Sequence, residues 1–216
     1  MFRALVWLQW KSSRAWVLAA AVVVVALPVV SVVREWPTAP YAMAQFLGRL
    51  EVWSFFYPAV AAAVGIAMAS LAWGADRAGH FIYALTLPIE RWRHVGYRYG
   101  AGVCWILAVT GLLWVAALSV VAVTPVPPSL QSYPHGLAAK FGLATIAVFT
   151  IGFALLSLPD RSRRALGTVV AGLVVVQVVA TLAGWEANWL VAVFEALVGP
   201  TGPLGMLAGR WMLIDV

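Results

Sequence analysis

Long apolar runs separated by short basic stretches dominate the chain. Residues 15–33, 53–73, 101–123 and 137–158 are each roughly 20 residues of mostly apolar character, and 165–184 forms a fifth such run. A helix rising 1.5 Å per residue crosses a hydrocarbon core of about 30 Å in roughly 20 residues, so every run has the length of a transmembrane helix. Strands of a membrane barrel would alternate apolar and polar positions over about ten residues, and none of these runs does. The pattern predicts an all-α, polytopic transmembrane helical bundle with five spans.

Three segments depart from that pattern. Residues 1–14 mix Phe2, Leu5, Val6 and Leu8 with Arg3, Gln9, Lys11 and Arg14, the composition of an amphipathic helix lying at the headgroups. The remaining chain, 15–216, is expected to form a single transmembrane domain. Within it, residues 74–98 form a long polar interruption, and residues 188–214 hold two apolar stretches, each too short to cross, split by Gly199-Pro200-Thr201-Gly202-Pro203. Proline and glycine interrupt helices, so this last segment reads as a re-entrant hairpin or a broken sixth span.

Composition removes other readings. With 63% hydrophobic and 10% charged residues, the chain lies outside the globular range. A net charge of +6 would fit nucleic acid if the basic residues shared a face, but they cluster between the apolar runs instead. By loop, Arg3, Lys11, Arg14, Arg77, Arg91, Arg93, Arg98, Arg161, Arg163 and Arg164 fall on one side of the membrane, and Arg34, Arg49, Lys140 and Arg210 on the other. The positive-inside rule puts the first group, and with it the N-terminus, in the cytoplasm. Trp16 and Trp36 bracket the first run, and Trp53 and Trp73 the second, as expected of indoles at the headgroups. The basic lead is long for a signal peptide, and Val32-Val33-Arg34-Glu35 is a poor cleavage site, so the first span is expected to be retained. Small residues at Ala61-Gly65-Ala69 and Gly96-Gly100 would allow close helix approach within the bundle.

The interruption at 74–98 is the most informative stretch, because a loop this long in a compact chain usually has a task. Gly79 offers a break, Phe81, Ile82, Ala84 and Leu85 give a short apolar helical face, and Pro88 redirects the chain before Glu90, Arg91, Arg93 and His94. This describes a short helix folded under the bundle with a polar face toward the cytosol. The plainer alternative is a basic loop that only enforces topology. The run FIYALTLPIERWRHVG at 81–96 resembles the cytoplasmic segment of type 2 ABC transporter permeases, with matching positions at Gly79, Leu85, Leu87, Pro88, Ile89 and Arg91 and an approximate acidic match at Asp76. The resemblance implies a coupling helix docked on a separate ATPase subunit, contacted through Asp76, Arg77, His80, Phe81, Tyr83, Ala84, Leu85, Pro88, Glu90 and Arg91. It also gives the N-terminal amphipathic helix a counterpart and implies a second permease copy or related chain. The chain departs from the family where a full sixth span would be expected.

The side chains offer little chemistry of their own. No G-x-x-x-x-G-K-[ST] occurs: Lys11 precedes Ser12 without the glycines, and Lys140 precedes Phe141. Any ATP and magnesium would therefore be bound by a partner. His80, His94 and His135 sit in loops or at span ends, and Cys104 is the single cysteine, so no metal or cofactor site is expected in this chain. Ser70, Ser119 and Ser157 lack a mid-span His or Asp companion, which argues against an intramembrane enzyme acting on lipid. No span carries a charge near its midpoint, as an ion-coupled pump would. Gln177, read as an interhelical hydrogen-bonding amide or a pathway residue, and Glu195, read as water-facing or as an outer gate, are the polar exceptions.

The expectation is a permease subunit of an ATP-driven ABC exporter in the inner (plasma) membrane, contacting membrane lipid and no nucleic acid, and not itself an enzyme. The alternative is a non-transporting scaffold or assembly subunit of a larger membrane complex.

Overall fold

The computed structural model describes residues 2–34, 49, 52–78, 90–124, 133–182, 192, 196, 211 and 213. Five helices account for most of them: α1 (Phe2–Arg34), α2 (Phe56–Ala78), α3 (Arg91–Val123), α4 (Tyr133–Ser157) and α5 (Asp160–Leu182). No strand occurs among the described residues. Ser13–Arg34, Phe56–Gly74, Trp92–Val123 and Tyr133–Ser157 are long and apolar enough to cross a membrane. The chain is thus a helical membrane protein, and α5 occupies the fifth apolar run as far as Leu182.

Both α1 and α3 have 33 residues, about 50 Å of helix, which exceeds the hydrocarbon core by roughly 20 Å. Their basic residues place the surplus at the N-terminal ends, with Lys11 and Arg14 in one and Arg93 and Arg98 in the other. α1 passes through residues 14 and 15 without a break, so the amphipathic opening and the first span share one helix. On α1, Ser13, Val17, Val24, Pro28, Ser31 and Val32 are buried, while Trp7, Lys11, Arg14, Leu18, Val22, Val25, Val29 and Val33 are exposed. Both sets recur mainly every three or four residues, which divides the helix into a packed face and an outer stripe. That stripe turns from basic to purely apolar between Arg14 and Leu18, as expected where a helix enters hydrocarbon.

Two compact units form, Met1–Phe153 with Arg210–Val216 and Ala154–Gly209. In the first, α1 packs along α3 and against α2, and α2 touches α3. Trp10 of α1 stacks on Trp105 of α3 with ring centroids 4.7 Å apart. α4 completes this unit through close approaches made possible by small residues. A Cβ at Gly65 would lie 2.9 Å from both the Thr145 carbonyl oxygen and Val148 Cβ, and one at Gly152 would lie 3.0 Å from Ala69 Cβ. The Ala61-Gly65-Ala69 stripe is buried and packs within the bundle. Helices in lipid gain little from hydrophobic transfer and depend on such packing and on hydrogen bonds.

Two expectations need correction. A Cβ at Gly96 would meet nothing within 4 Å, so Gly96 makes no close helix approach; in α3 that role falls to Gly102, where a Cβ would run into the Phe149 ring. Trp73 does not face the headgroups: it is 6% exposed, because its indole is hydrogen-bonded inside the bundle. In the second unit, α5 leaves Val169, Leu173, Val175, Val176 and Val179 exposed, an apolar surface suited to lipid or to another helix.

Gly65→Ala tests the α2–α4 contact. Overpacking against backbone costs about 1–3 kcal/mol, so thermal unfolding in detergent is expected at a lower temperature than for the native chain. Gly111→Ala, where a Cβ meets nothing within 4 Å, should instead be neutral or gain up to about 1 kcal/mol of helix propensity.

Candidate functional site

The two helices that flank the polar interruption, α2 and α3, are tied to α4 by one cluster near their adjoining ends. Arg98, in the third turn of α3, is 8% exposed. Its Nη1 donates to the Ala72 carbonyl of α2 at 2.6 Å, and its guanidinium lies 5.8 Å from the centre of the Trp73 ring. A cation removed from water needs such compensation. Trp73 Nε1 donates in turn to the Phe153 carbonyl of α4 at 3.2 Å, and the two rings lie 5.0 Å apart.

One residue beyond Arg98, Tyr99 makes the corresponding link from α3. Its hydroxyl lies 2.8 Å from Thr150 Oγ1, and Thr150 donates its own proton to the Ile146 carbonyl at 2.7 Å, so the phenol is the donor. The Tyr99 ring packs 5.3 Å from Phe149 and 5.6 Å, edge-on, from Phe153. Phe149 and Phe153 are 5.6 Å apart. Edge-to-face and offset aromatic pairs are each worth about 0.5–1.5 kcal/mol beyond burial. These contacts join the lower part of α3 to both α2 and α4.

Below this cluster the start of α3 is largely exposed. Glu90, Trp92, Arg93, Val95, Gly96 and Tyr97 are exposed and His94 is partly buried. Glu90 is the N-cap residue and makes no side-chain cap bond. Its carbonyl accepts from Arg93 N at 3.0 Å and His94 N at 3.2 Å, and its carboxylate pairs with Arg93 Nε at 2.9 Å. Arg93 also lies 5.2 Å from the centre of the exposed Trp92 ring. A carboxylate here offsets both the positive end of the helix dipole and the neighbouring arginines.

Asp76 and Arg77 fall in the last turn of α2, and Glu90 and Arg91 open α3. Four of the expected contact residues thus occupy the two helix ends bordering the segment. His80, Phe81, Tyr83, Ala84, Leu85 and Pro88 lie outside the described residues, as does Glu195. Gln177 is partly buried on α5. Sequence reasoning counted Arg98 for topology and Trp73 as an interface marker, and it missed Tyr99, Phe149, Thr150 and Phe153. The only signal for them was Arg98-Tyr99 just before one apolar run and Phe149-x-x-x-Phe153 on another, and pairing the two needs the register of α4. Among the described residues no three His, Cys, Asp or Glu converge as metal ligands. The arrangement joins α2, α3 and α4 next to an exposed, charged helix start.

Compared with family models, with curated proteins and with solved structures, the chain has no match in any of the three.

Proposed function

We propose that this chain is the membrane-spanning permease subunit of an ATP-driven exporter, moved by a separate P-loop ATPase that docks on residues 74–98. The observation that carries the reading is the junction of Arg98, Trp73 and Tyr99 next to an exposed, charged helix start. A partner gripping that tip would move α2, α3 and α4 as one. The partner would supply ATP and magnesium, and its closure would favour one permease conformation to the extent that it binds that conformation better. The resemblance of residues 81–96 to the permease coupling segment supports the same reading.

In this reading α5 is a fifth span, the N-terminus is cytoplasmic, and the host membrane is the inner (plasma) membrane. A second copy or related chain meets the exposed apolar surface of the bundle to complete a pathway. Residues 188–214 would form a re-entrant hairpin or a broken sixth span. Support for the hairpin comes from Trp211, which is 2% exposed and whose ring centre lies 5.0 Å from Lys140 Nζ. Lys140 is about 10 Å from the Tyr133 end of α4, the outer end in this orientation. A Val216→Cys thiol in a Cys104→Ser background should therefore react with a membrane-impermeant maleimide in intact spheroplasts. Labelling only after lysis would favour a completed sixth span.

The reading is tested by purifying the tagged chain from its own host in mild detergent, identifying the accompanying chains by mass spectrometry and assaying ATP hydrolysis. A stoichiometric P-loop ATPase is expected. Other membrane subunits without an ATPase would favour the scaffold role.

A further inference from the structure

A cleft of about 330 Å³ lies between α3 and α4, bordered by Leu107, Thr110, Gly111, Trp114, His135 and Ala138. Its size is at the lower end of the range for small-molecule sites, and like them it joins apolar walls to a few polar groups. Leu107 and Trp114 are exposed on spans apolar enough to cross a membrane, so whatever enters comes from the bilayer. Gly111 keeps the cleft open, since a Cβ there would meet nothing within 4 Å.

The polar side of the cleft has a defined hydrogen-bonding character. Trp114 Nε1 donates to His135 Nδ1 at 2.9 Å, with the two ring centres 5.8 Å apart. An indole can only donate, so Nδ1 is the unprotonated nitrogen and a neutral ring carries its proton on Nε2. His135 is thereby fixed as a donor. Thr110 Oγ1 is buried beside Gly142 with no hydrogen-bond partner, so it backs the cleft rather than opening into it. Ser119, Thr124, Thr145 and Thr150, by contrast, each donate to the carbonyl four residues earlier.

We propose that this cleft binds one acyl chain of a bilayer phospholipid, with its ester carbonyl accepting from His135 Nε2–H and the chain lying along Leu107 over Gly111. An ester carbonyl supplies the acceptor without a charge, and the hydrocarbon chain matches the apolar walls. The site depends on the chain crossing a membrane and not on the exporter reading; with the N-terminus cytoplasmic it opens to the outer leaflet.

Native mass spectrometry of the full chain, extracted with its lipids and washed in mild detergent, reads the retained lipid directly. One phospholipid per chain is expected on the native protein. Gly111→Leu fills the cleft and should abolish retention, while Gly172→Leu, on α5 where a Cβ also meets nothing within 4 Å, should leave it unchanged. His135→Phe keeps a ring but removes the donor, and should lower occupancy about fivefold, the worth of one neutral hydrogen bond. Equal retention by the native chain, Gly111→Leu and His135→Phe would overturn the proposal. So would loss in Gly172→Leu as well, or a retained mass that is not a phospholipid.

Discussion

Exchanging the two charges that open α3, as Glu90→Arg with Arg91→Glu, is expected to abolish association with the proposed ATPase partner while leaving the chain folded and inserted. The fold tolerates the exchange because the Glu90–Arg93 pair has both side chains more than half exposed, and exposed pairs contribute at most about 1 kcal/mol. Net charge on that side of the membrane is unchanged, so the topology signal is kept. A carboxylate also remains in the first turn, where it suits the helix dipole. Docking has no such tolerance. A complementary surface that meets reversed charges faces like-charge repulsion of several kcal/mol, a hundredfold or more in affinity at about 1.4 kcal/mol per decade. Co-purification and ATP hydrolysis measure the loss, and size-exclusion elution of the permease serves as the folding control. Undiminished association would remove this end of α3 from the interface.

The largest effect on stability is expected at Phe149, which is fully buried and sits between Tyr99, Phe153 and the backbone of Gly102. Phe→Ala in a packed core costs about 3–5 kcal/mol, part of it lost transfer out of water and part the cavity left behind. In a bilayer the unfolded reference is already in lipid, so the transfer part shrinks and about 3 kcal/mol is the reasonable figure. Gly102→Ala alone should cost about 1–3 kcal/mol, because its methyl needs the space that the Phe149 ring holds. The double variant should cost less than the sum, since the cavity of one change receives the methyl of the other. Reversible unfolding in mixed micelles measures all three, and simple additivity would mean that α3 and α4 do not meet through this pair.

How far the fold could be read in advance depends on which features are written in one helix and which in two. The four helices long and apolar enough to cross a membrane were legible because roughly 20 apolar residues in a row have few other uses. The close approach at Gly65 was legible because small residues four apart line one helical face. Gly102 was not, because its role comes from the Phe149 ring on α4, and Gly96 looked equivalent only while α4 was out of the picture. Trp73 reads as a headgroup anchor in isolation and becomes a core residue once Phe153 offers a carbonyl and Arg98 covers its face. His135 reads as a span-end histidine until Trp114, 21 residues earlier, takes one of its nitrogens. Arg98 entered the topology count as one of the basic residues between the second and third runs, yet its bond to the Ala72 carbonyl requires knowing how α2 returns past α3. The break between the second and third runs was legible through Gly79 and Pro88, since α2 ends at Ala78 and α3 begins at Arg91.

Whether the segment between α2 and α3 receives an ATPase is best decided by site-specific cross-linking in the native host. A photoreactive amino acid replaces Leu85, with a second variant carrying it at Val179 on the exposed apolar face of α5. Position 85 is expected to capture a soluble P-loop ATPase, identified by mass spectrometry, and position 179 only lipid or membrane protein. Capture of no ATPase from position 85, with other membrane subunits trapped there instead, would contradict the exporter reading.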